Sequence, residues 1–222
     1  MNGWTLTHLE TVDSTMDWLK RQSLQDRLAV ISDIQTSGRG RRGGQWQSPK
    51  GNLYLSFCVA VTPELLEKLP FIVALCVADS LPAIKIQLKW PNDIWVGSKK
   101  LGGVLIERSG DFAVCGIGLN VIDAPDDATS LRALGHLIAT TDLANKIFNT
   151  FDEWYMRKDW VDAWNKRAAF MSETVTFVHG GRDKTGVFEG IDKKGRAILL
   201  DHSVNMYHAY SAGELSKLRP QQ

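Results

Sequence analysis

Apolar and polar residues alternate over residues 4–9, at the period of an opening β-strand whose side chains point to opposite faces in turn. Asp13-Ser14-Thr15 then offers N-cap oxygens to a helix through Met16, Trp18 and Leu19, and capping alone accounts for Ser14 and Thr15. Residues 28–34 and 53–61 read as strands. Residues 69–81, apolar almost all round, read as a buried helix. Residues 84–89 alternate as a half-buried strand that ends at Trp90-Pro91-Asn92-Asp93, where proline disfavours helical geometry for its predecessor and Asn-Asp favours a turn. Lys99-Lys100 is a basic turn entering a strand through Gly102-Gly103. Ser109-Gly110-Asp111 makes a hairpin into residues 112–121, where Gly116 and Gly118 alternate. Glycine inside a strand marks a bulge or a close approach by a ligand or another backbone. Residues 123–129 are loop. A helical region runs from Thr141-Asp142 to about Met171, broken near Asp159, and its aromatics Phe148, Phe151, Trp154, Tyr155, Trp160 and Trp164 are assigned to packing.

From Glu173 the pattern shifts to short strands between tight turns: 175–178, 185–191, 197–201, 205–210 and 215–218. Five strands in some fifty residues predict a small SH3-like barrel. The fold class is therefore α+β, with a principal domain over 1–171 and a small one over 172–222.

The chain has 222 residues, 26 basic against 25 acidic, and a net charge of +1, which argues against nucleic acid or an anionic membrane as main partner. Cys58, Cys76 and Cys115 stand singly in apolar runs, without disulfide or metal spacing, as core thiols of a reducing cytoplasm do. No signal pattern opens the chain, and no apolar stretch reaches the roughly 18 residues that span a bilayer. The five histidines lack metal-ligand spacing, with His202 and His208 expected on the barrel surface.

The positive charge is local. Gln35-Thr36-Ser37-Gly38-Arg39-Gly40-Arg41-Arg42-Gly43-Gly44-Gln45-Trp46 places three guanidinium groups within four residues, so an external anion is expected to neutralise the loop and to order it. A solvated basic turn is the plain alternative. The spelling G-x-G-x-x-G fits a dinucleotide fingerprint, but Gly43, Gly44, Pro49 and Gly51 break the helix that motif requires, and no carboxylate lies in the following strand. Trp46 beside the arginines points to stacking on a ring or covering a pocket. Glycine-rich or basic strand ends recur at 35–46, 89–93, 100–103 and 116–120, and their convergence would form a cleft for a phosphorylated or nucleotide ligand. There is no Ser-His-Asp set and no cysteine paired with a base, so the residues alone leave the reaction class open.

Gly38-Arg39-Gly40-Arg41-Arg42-Gly43 with Trp46, Lys89-Trp90-Pro91-Asn92-Asp93, Lys100-Leu101-Gly102-Gly103-Val104-Leu105-Ile106-Glu107 and Gly116-Ile117-Gly118-Leu119-Asn120 together closely resemble the biotin protein ligases, over nearly the whole chain and in the family's order. The resemblance implies a catalytic domain like that of class II aminoacyl-tRNA synthetases, followed by an SH3-like domain. It implies ATP, biotin and Mg²⁺, formation of biotinyl-5′-AMP, and transfer of biotin to a lysine of the biotin carboxyl carrier protein of acetyl-CoA carboxylase, without an enzyme nucleophile. It places Ser14, Thr15, Met16, Gln35, Gly38, Arg39, Gly40 and Gly103 around biotin. Arg41 and Lys100 fall on the carboxylate and α-phosphate as the catalytic charges. Arg42, Trp46, Lys89, Asn92, Asp93 and Asn120 fall near the adenylate, with Asp93 at Mg²⁺ or at the incoming lysine. A monomer or weak homodimer is expected.

Two departures stand out: Gly44 where the family commonly has a further arginine, and Met16 where asparagine is usual. The strand before Ser14 begins almost at Met1, so the expectation is a ligase without the DNA-binding domain that some members carry. The nearest rival is a lipoate or octanoate ligase of similar fold, against which the polar trio Ser14, Thr15 and Gln35 speaks because those acids lack a ureido group. A nucleic-acid-binding module using Arg39, Arg41, Arg42 and Trp46 is the rival of another class, and it predicts affinity falling steeply with salt.

Overall fold

The structure, a computed structural model, describes residues 3–221, without the side chains of 216 and 217. Strand β1 (Thr5–Val12) is followed by α1 (Thr15–Lys20), β2 (Leu28–Gln35), β3 (Leu53–Ala60), α2 (Pro63–Ser80), β4 (Ile86–Lys89), β5 (Asp93–Val96), β6 (Lys99–Ser109) and β7 (Phe112–Leu119). These seven strands form one mixed sheet in the order β1-β2-β3-β7-β6-β5-β4. Only β1 and β2 run parallel, as the crossover through α1 requires, and the other neighbours are antiparallel.

Strand side chains alternate between faces, and here the two faces have been given different work. Leu53, Leu55, Phe57 and Val59 of β3 join Cys115, Ile117 and Leu119 of β7 and Leu101 and Val104 of β6 in the main core, together with the apolar side of α2. The opposite face carries Tyr54, Ser56 and Cys58, then Val114, Gly116 and Gly118, then Gly103, Leu105 and Glu107. Helix α1 covers only one end of it, through a small cluster of Met16, Leu19, Val30, Cys58 and Val114. The rest of that face is open to the site.

Helix α2 starts six residues before the expected apolar run. Thr62 caps it by accepting from the Leu65 amide at 3.3 Å, and Pro63 fits the first turn, where its missing N–H costs nothing. Strand β5 was not expected from sequence, where residues 90–93 read only as a turn. The chain reverses at a cis Trp90–Pro91 bond and pairs back on β4, Lys89 opposite Asp93.

Helices α3 (Thr140–Met156) and α4 (Trp160–Asn165) show the expected break near Asp159. The helix does not continue to Met171, because Ala168 bridges Leu88 and Phe170 and Ser172 take left-handed backbone angles. Of the aromatics assigned to packing, all but Tyr155, which is 40 % exposed, are buried: Trp4 stacks on Phe148 at 4.4 Å, and Phe71 meets Trp160 at 5.6 Å and Trp164 at 5.7 Å.

The five terminal strands, β8 (Thr174–His179), β9 (Arg182–Ile191), β10 (Ala197–Asp201), β11 (Met206–Tyr210) and β12 (Leu215–Pro220), form one antiparallel sheet in the order β11-β10-β9-β8-β12. Closure into a barrel needs the edge strands β11 and β12 to pair, and no such pairing occurs among the described residues, so the fold is mixed α+β with two sheets. One continuous core links the sheets. Trp90, 3 % exposed, donates its indole N–H to the Gly195 carbonyl at 3.0 Å.

Candidate functional site

Cross-strand register turns the open face into two rows. Val30, Ser56, Gly116 and Leu105 lie side by side across β2, β3, β7 and β6; Ser32, Tyr54, Gly118, Gly103 and Asp93 lie side by side across β2, β3, β7, β6 and β5. Glycine at 116, 118 and 103 leaves a bare floor. A Cβ on Gly116 would sit 2.6 Å from Met16 Sδ, and one on Gly118 would sit 2.6 Å from the Trp46 ring. The space that these glycines free is therefore shared by Met16, Trp46 and a cavity of ≈ 350 Å³.

At one side of the cavity Thr15 and Gln35 fix each other. The Thr15 backbone N–H and hydroxyl both donate to Gln35 Oε1, at 2.9 and 3.0 Å, which settles which end of the amide is oxygen because a backbone N–H can only donate. The Ser56 hydroxyl donates to Thr15 Oγ1 at 2.8 Å, and Gln35 Nε2 donates to Ser48 at 3.0 Å. Ser14 does cap α1, accepting from the Asp17 amide at 3.4 Å, and it also lines the cavity; the two readings of this residue are compatible.

The cationic side is built by Lys100 and Arg41. Lys100 Nζ lies 2.6 Å from Asp93 Oδ1 and 5.3 Å from the centre of the Trp46 ring, over its face. Arg41 donates to Asn92 Oδ1 at 3.1 Å, and Asn92 is itself held by donation to the Val104 carbonyl at 2.8 Å. Burial, and then the neighbouring Arg42 charge, push the Arg41 pKa below its ordinary value. An arginine so placed gains from any anion that reaches it.

The arginine loop is a short hairpin. The Trp46 amide donates to the Gly38 carbonyl at 2.9 Å, the Gly40 amide to the Gly44 carbonyl at 2.7 Å, and a single 3-10 turn spans Arg41–Gly43. Gly38 has no room for a side chain, since a Cβ would lie 2.4 Å from the Trp46 carbonyl oxygen.

Its three arginines do not share one partner. The expectation that an external anion must neutralise the loop fails at Arg39, whose guanidinium reaches Asp17 at 2.6 Å and Glu107 at 2.7 Å. Arg42, at φ 54°, turns away and donates to the carbonyls of Ala212 at 2.9 Å and Leu215 at 3.1 Å.

Of the expected residues, Ser14, Thr15, Met16, Gln35, Arg39, Gly40, Arg41, Trp46, Asn92, Asp93, Lys100 and Gly103 line this cavity. Gly38 lines a neighbouring cavity formed by the arginine loop with Leu105 and Glu107. Arg42 and Lys89 line a smaller adjoining cavity of ≈ 210 Å³ with Arg41, Asp93 and Arg219. Lys89 lies 4.2 Å over the Trp95 ring, and burial lowers its pKa against the opposing pull of Asp93. Asn120 lines neither; it is buried and donates to the Thr129 carbonyl at 3.1 Å, tying the loop after β7 to the sheet.

Ser56, Asp17, Glu107 and Arg219 were not singled out from sequence. Only Ser56 left a signal, as the one serine inside the apolar run of β3. Among the described residues no group of three or more His, Cys, Asp or Glu side chains is arranged to hold a metal ion, and Asp93 is the one carboxylate lining the larger cavity. Among the described residues no helix is long and apolar enough to cross a membrane.

Comparison with known proteins agrees with this geometry. Residues 8–120 match the biotin/lipoate A/B protein ligase family, and the chain belongs to that family. It is 31 % identical over 198 residues to a biotin--[acetyl-CoA-carboxylase] ligase of Paracoccus denitrificans, covering 77 % of this chain and 82 % of that one. It is 32 % identical over 199 residues to the protein of the same name from Mycobacterium tuberculosis, covering 78 % and 73 %. Among solved structures it resembles the biotin protein ligase from Aquifex aeolicus in complex with biotin and ATP, with a TM-score of 0.87 and 32 % identity over 97 % of this chain and 99 % of that one.

Proposed function

We propose that the chain activates biotin with ATP to biotinyl-5′-AMP and then transfers the biotinyl group to a lysine of the biotin carboxyl carrier protein of acetyl-CoA carboxylase. The observation that carries this reading is a single cavity that sets fixed donors and acceptors, Thr15 and Gln35 with Ser14, beside two cations, Lys100 and Arg41. A ureido ring needs paired donors and acceptors. A carboxylate meeting a phosphate needs concentrated positive charge.

In the first step a biotin carboxylate oxygen attacks the α-phosphorus of ATP, and pyrophosphate leaves with the bridging oxygen. Both reactants are anions, so Lys100 and Arg41 lower the barrier by offsetting their repulsion and the charge of the transition state. Trp46 covers the bare strand at Gly118, and Lys89, Arg42 and Arg219 supply charge where the smaller cavity leaves room for the outer phosphates. Mg²⁺ binds such sites through one or two carboxylates plus substrate phosphates, so an ion arriving with ATP would be held by Asp93 and would neutralise phosphate charge. In the second step the neutral amine of the acceptor lysine attacks the acyl carbon and AMP leaves. No side chain of the enzyme is acylated.

The test is incubation of the protein with ATP, Mg²⁺, biotin and a carrier domain, followed by mass spectrometry of the carrier. One biotinylated lysine is expected. Labelling with lipoate and none with biotin would transfer the assignment to the lipoate branch of the family.

A further inference from the structure

The arginine cluster, expected from its sequence to act as one anion trap, is divided among different partners. Arg39 Nη1 donates to Asp17 Oδ1 at 2.6 Å and to Glu107 Oε2 at 3.1 Å, while Nη2 donates to Glu107 Oε1 at 2.7 Å. Lys20 of α1 donates to the same Glu107 carboxylate and lies 3.8 Å from Asp17. Two cations and two carboxylates thus form one closed network, drawn from three places: the loop, helix α1 and strand β6. Glu107 responds electrostatically: burial opposes ionisation, but Lys20 and Arg39 together bring its pKa below the ordinary value.

An isolated exposed ion pair holds little, whereas a bidentate arginine–carboxylate pair within a network is the arrangement that does hold a segment in place. The network spans the loop on the side remote from Arg42, which is pinned to the Ala212 and Leu215 carbonyls of the terminal sheet. Arg41 stands next to Arg42 and reaches the same Ala212 carbonyl at a longer 3.4 Å. It is the loop arginine left to face the cavity without a carboxylate of its own.

We infer that Asp17 and Glu107 are positioning residues of the ligand site: acting through Arg39, they hold the arginine loop closed over the cavity so that Arg41 is presented before any ligand arrives. Arg39 is on this account a latch whose charge is spent on the protein itself, and the ligand's negative charge meets Arg41 and Lys100. The inference builds on the functional reading above for the identity of the ligand, and its test separates the two. Nothing in the latch touches the Thr15–Gln35 pair or Lys100, so weakening it changes how long the loop stays down and leaves the contacts under it in place.

The experiment is a double-mutant cycle on Arg39→Gln and Glu107→Gln, with Asp17→Asn as a third arm. It is read first by amide hydrogen exchange over residues 38–46 of the ligand-free protein and second by the dissociation rate of biotin. Each single variant is expected to speed exchange about tenfold, a coupling of ordinary size for two linked sites, and to raise the biotin off-rate similarly. The double variant Arg39→Gln/Glu107→Gln is expected to be no faster than Arg39→Gln alone, because that variant already removes the Arg39–Glu107 pair together with the Arg39–Asp17 bond. Additive effects, an effect of Arg39→Gln without one of Glu107→Gln, or unchanged exchange in every variant would overturn the inference. A wild-type protein that fails to bind biotin would overturn the functional reading alone, since the exchange cycle needs no ligand.

Discussion

The two faces of the seven-stranded sheet are made by the same strands, residue by residue in turn, and they obey different rules. On one, Phe57, Leu55, Ile117 and Leu119 are buried to within 2 % exposure against α2 and α3, and their worth is volume. On the other, Gly116, Gly118 and Gly103 are valuable for what they lack, since an added Cβ would press on Met16 at 116 and on Trp46 at 118, and would touch Asp93 and Lys100 at 103. A strand can serve both ends at once because its period of two keeps the accounts apart, and a one-residue slip would exchange them.

Substitutions on the two faces sharpen this contrast. The largest effect is expected on the packed face: Phe57→Ala leaves a hole at the centre of three aromatic contacts and is expected to cost about 3–5 kcal/mol of stability, read from urea denaturation. A smaller loss would mean that the core there collapses on the gap. On the open face, Lys100→Ala is expected to slow biotin-dependent pyrophosphate exchange about 10²–10³-fold, some 2.7–4 kcal/mol in the transition state, without moving the thermal midpoint. An unchanged rate would remove Lys100 from the site. Gly118→Ala drives a methyl into the Trp46 ring, and an overpacking cost of about 1–3 kcal/mol is expected to appear as a shifted Trp emission and weaker biotin binding in calorimetry.

The smallest effect is one of acidity. Against the cost of burial, Lys20 and Arg39 hold Glu107 ionised below its ordinary pKa of 4.5. A depressed carboxylate stabilises the fold fully above its unfolded value and loses that contribution as pH falls from there through the lower folded value. Stability measured on descent below pH 4.5 should therefore decline by up to about 1 kcal/mol more in the wild type than in Glu107→Gln. Equal slopes would show that the carboxylate is not held in the folded state.

The period of two made most of this sheet legible in the sequence, and the glycines at 103, 116 and 118 gave away the open face because nothing in a packed core calls for them. Other features had no local signature. Strand β5 has four residues and begins just after a proline, so its pairing with β4 and β6 is decided by register across the sheet. Helix α2 hid its first turns behind Glu64, Glu67 and Lys68, which face outward. The Arg39 network joins residues 22 and 68 positions apart, and local spacing carries no trace of such a meeting. Asn120 illustrates the converse: an amide at a glycine-rich strand end reads equally as ligand contact or as brace, and burial under residues 129–131 makes it a brace here.

The hydrogen bond from Trp90 to Gly195 bears on how chains of this kind can be recombined. The donor stands at the bend leading to Asn92 and Asp93, the acceptor in a turn of the terminal sheet, and a Cβ on Gly195 would lie 2.1 Å from Phe71. A hybrid taking its first sheet from this chain and its second from elsewhere would bring an indole to a seam with no carbonyl to receive it, at about 1–3 kcal/mol for the unmet buried donor. Grafting must therefore carry both banks of the seam together, as one heritable unit.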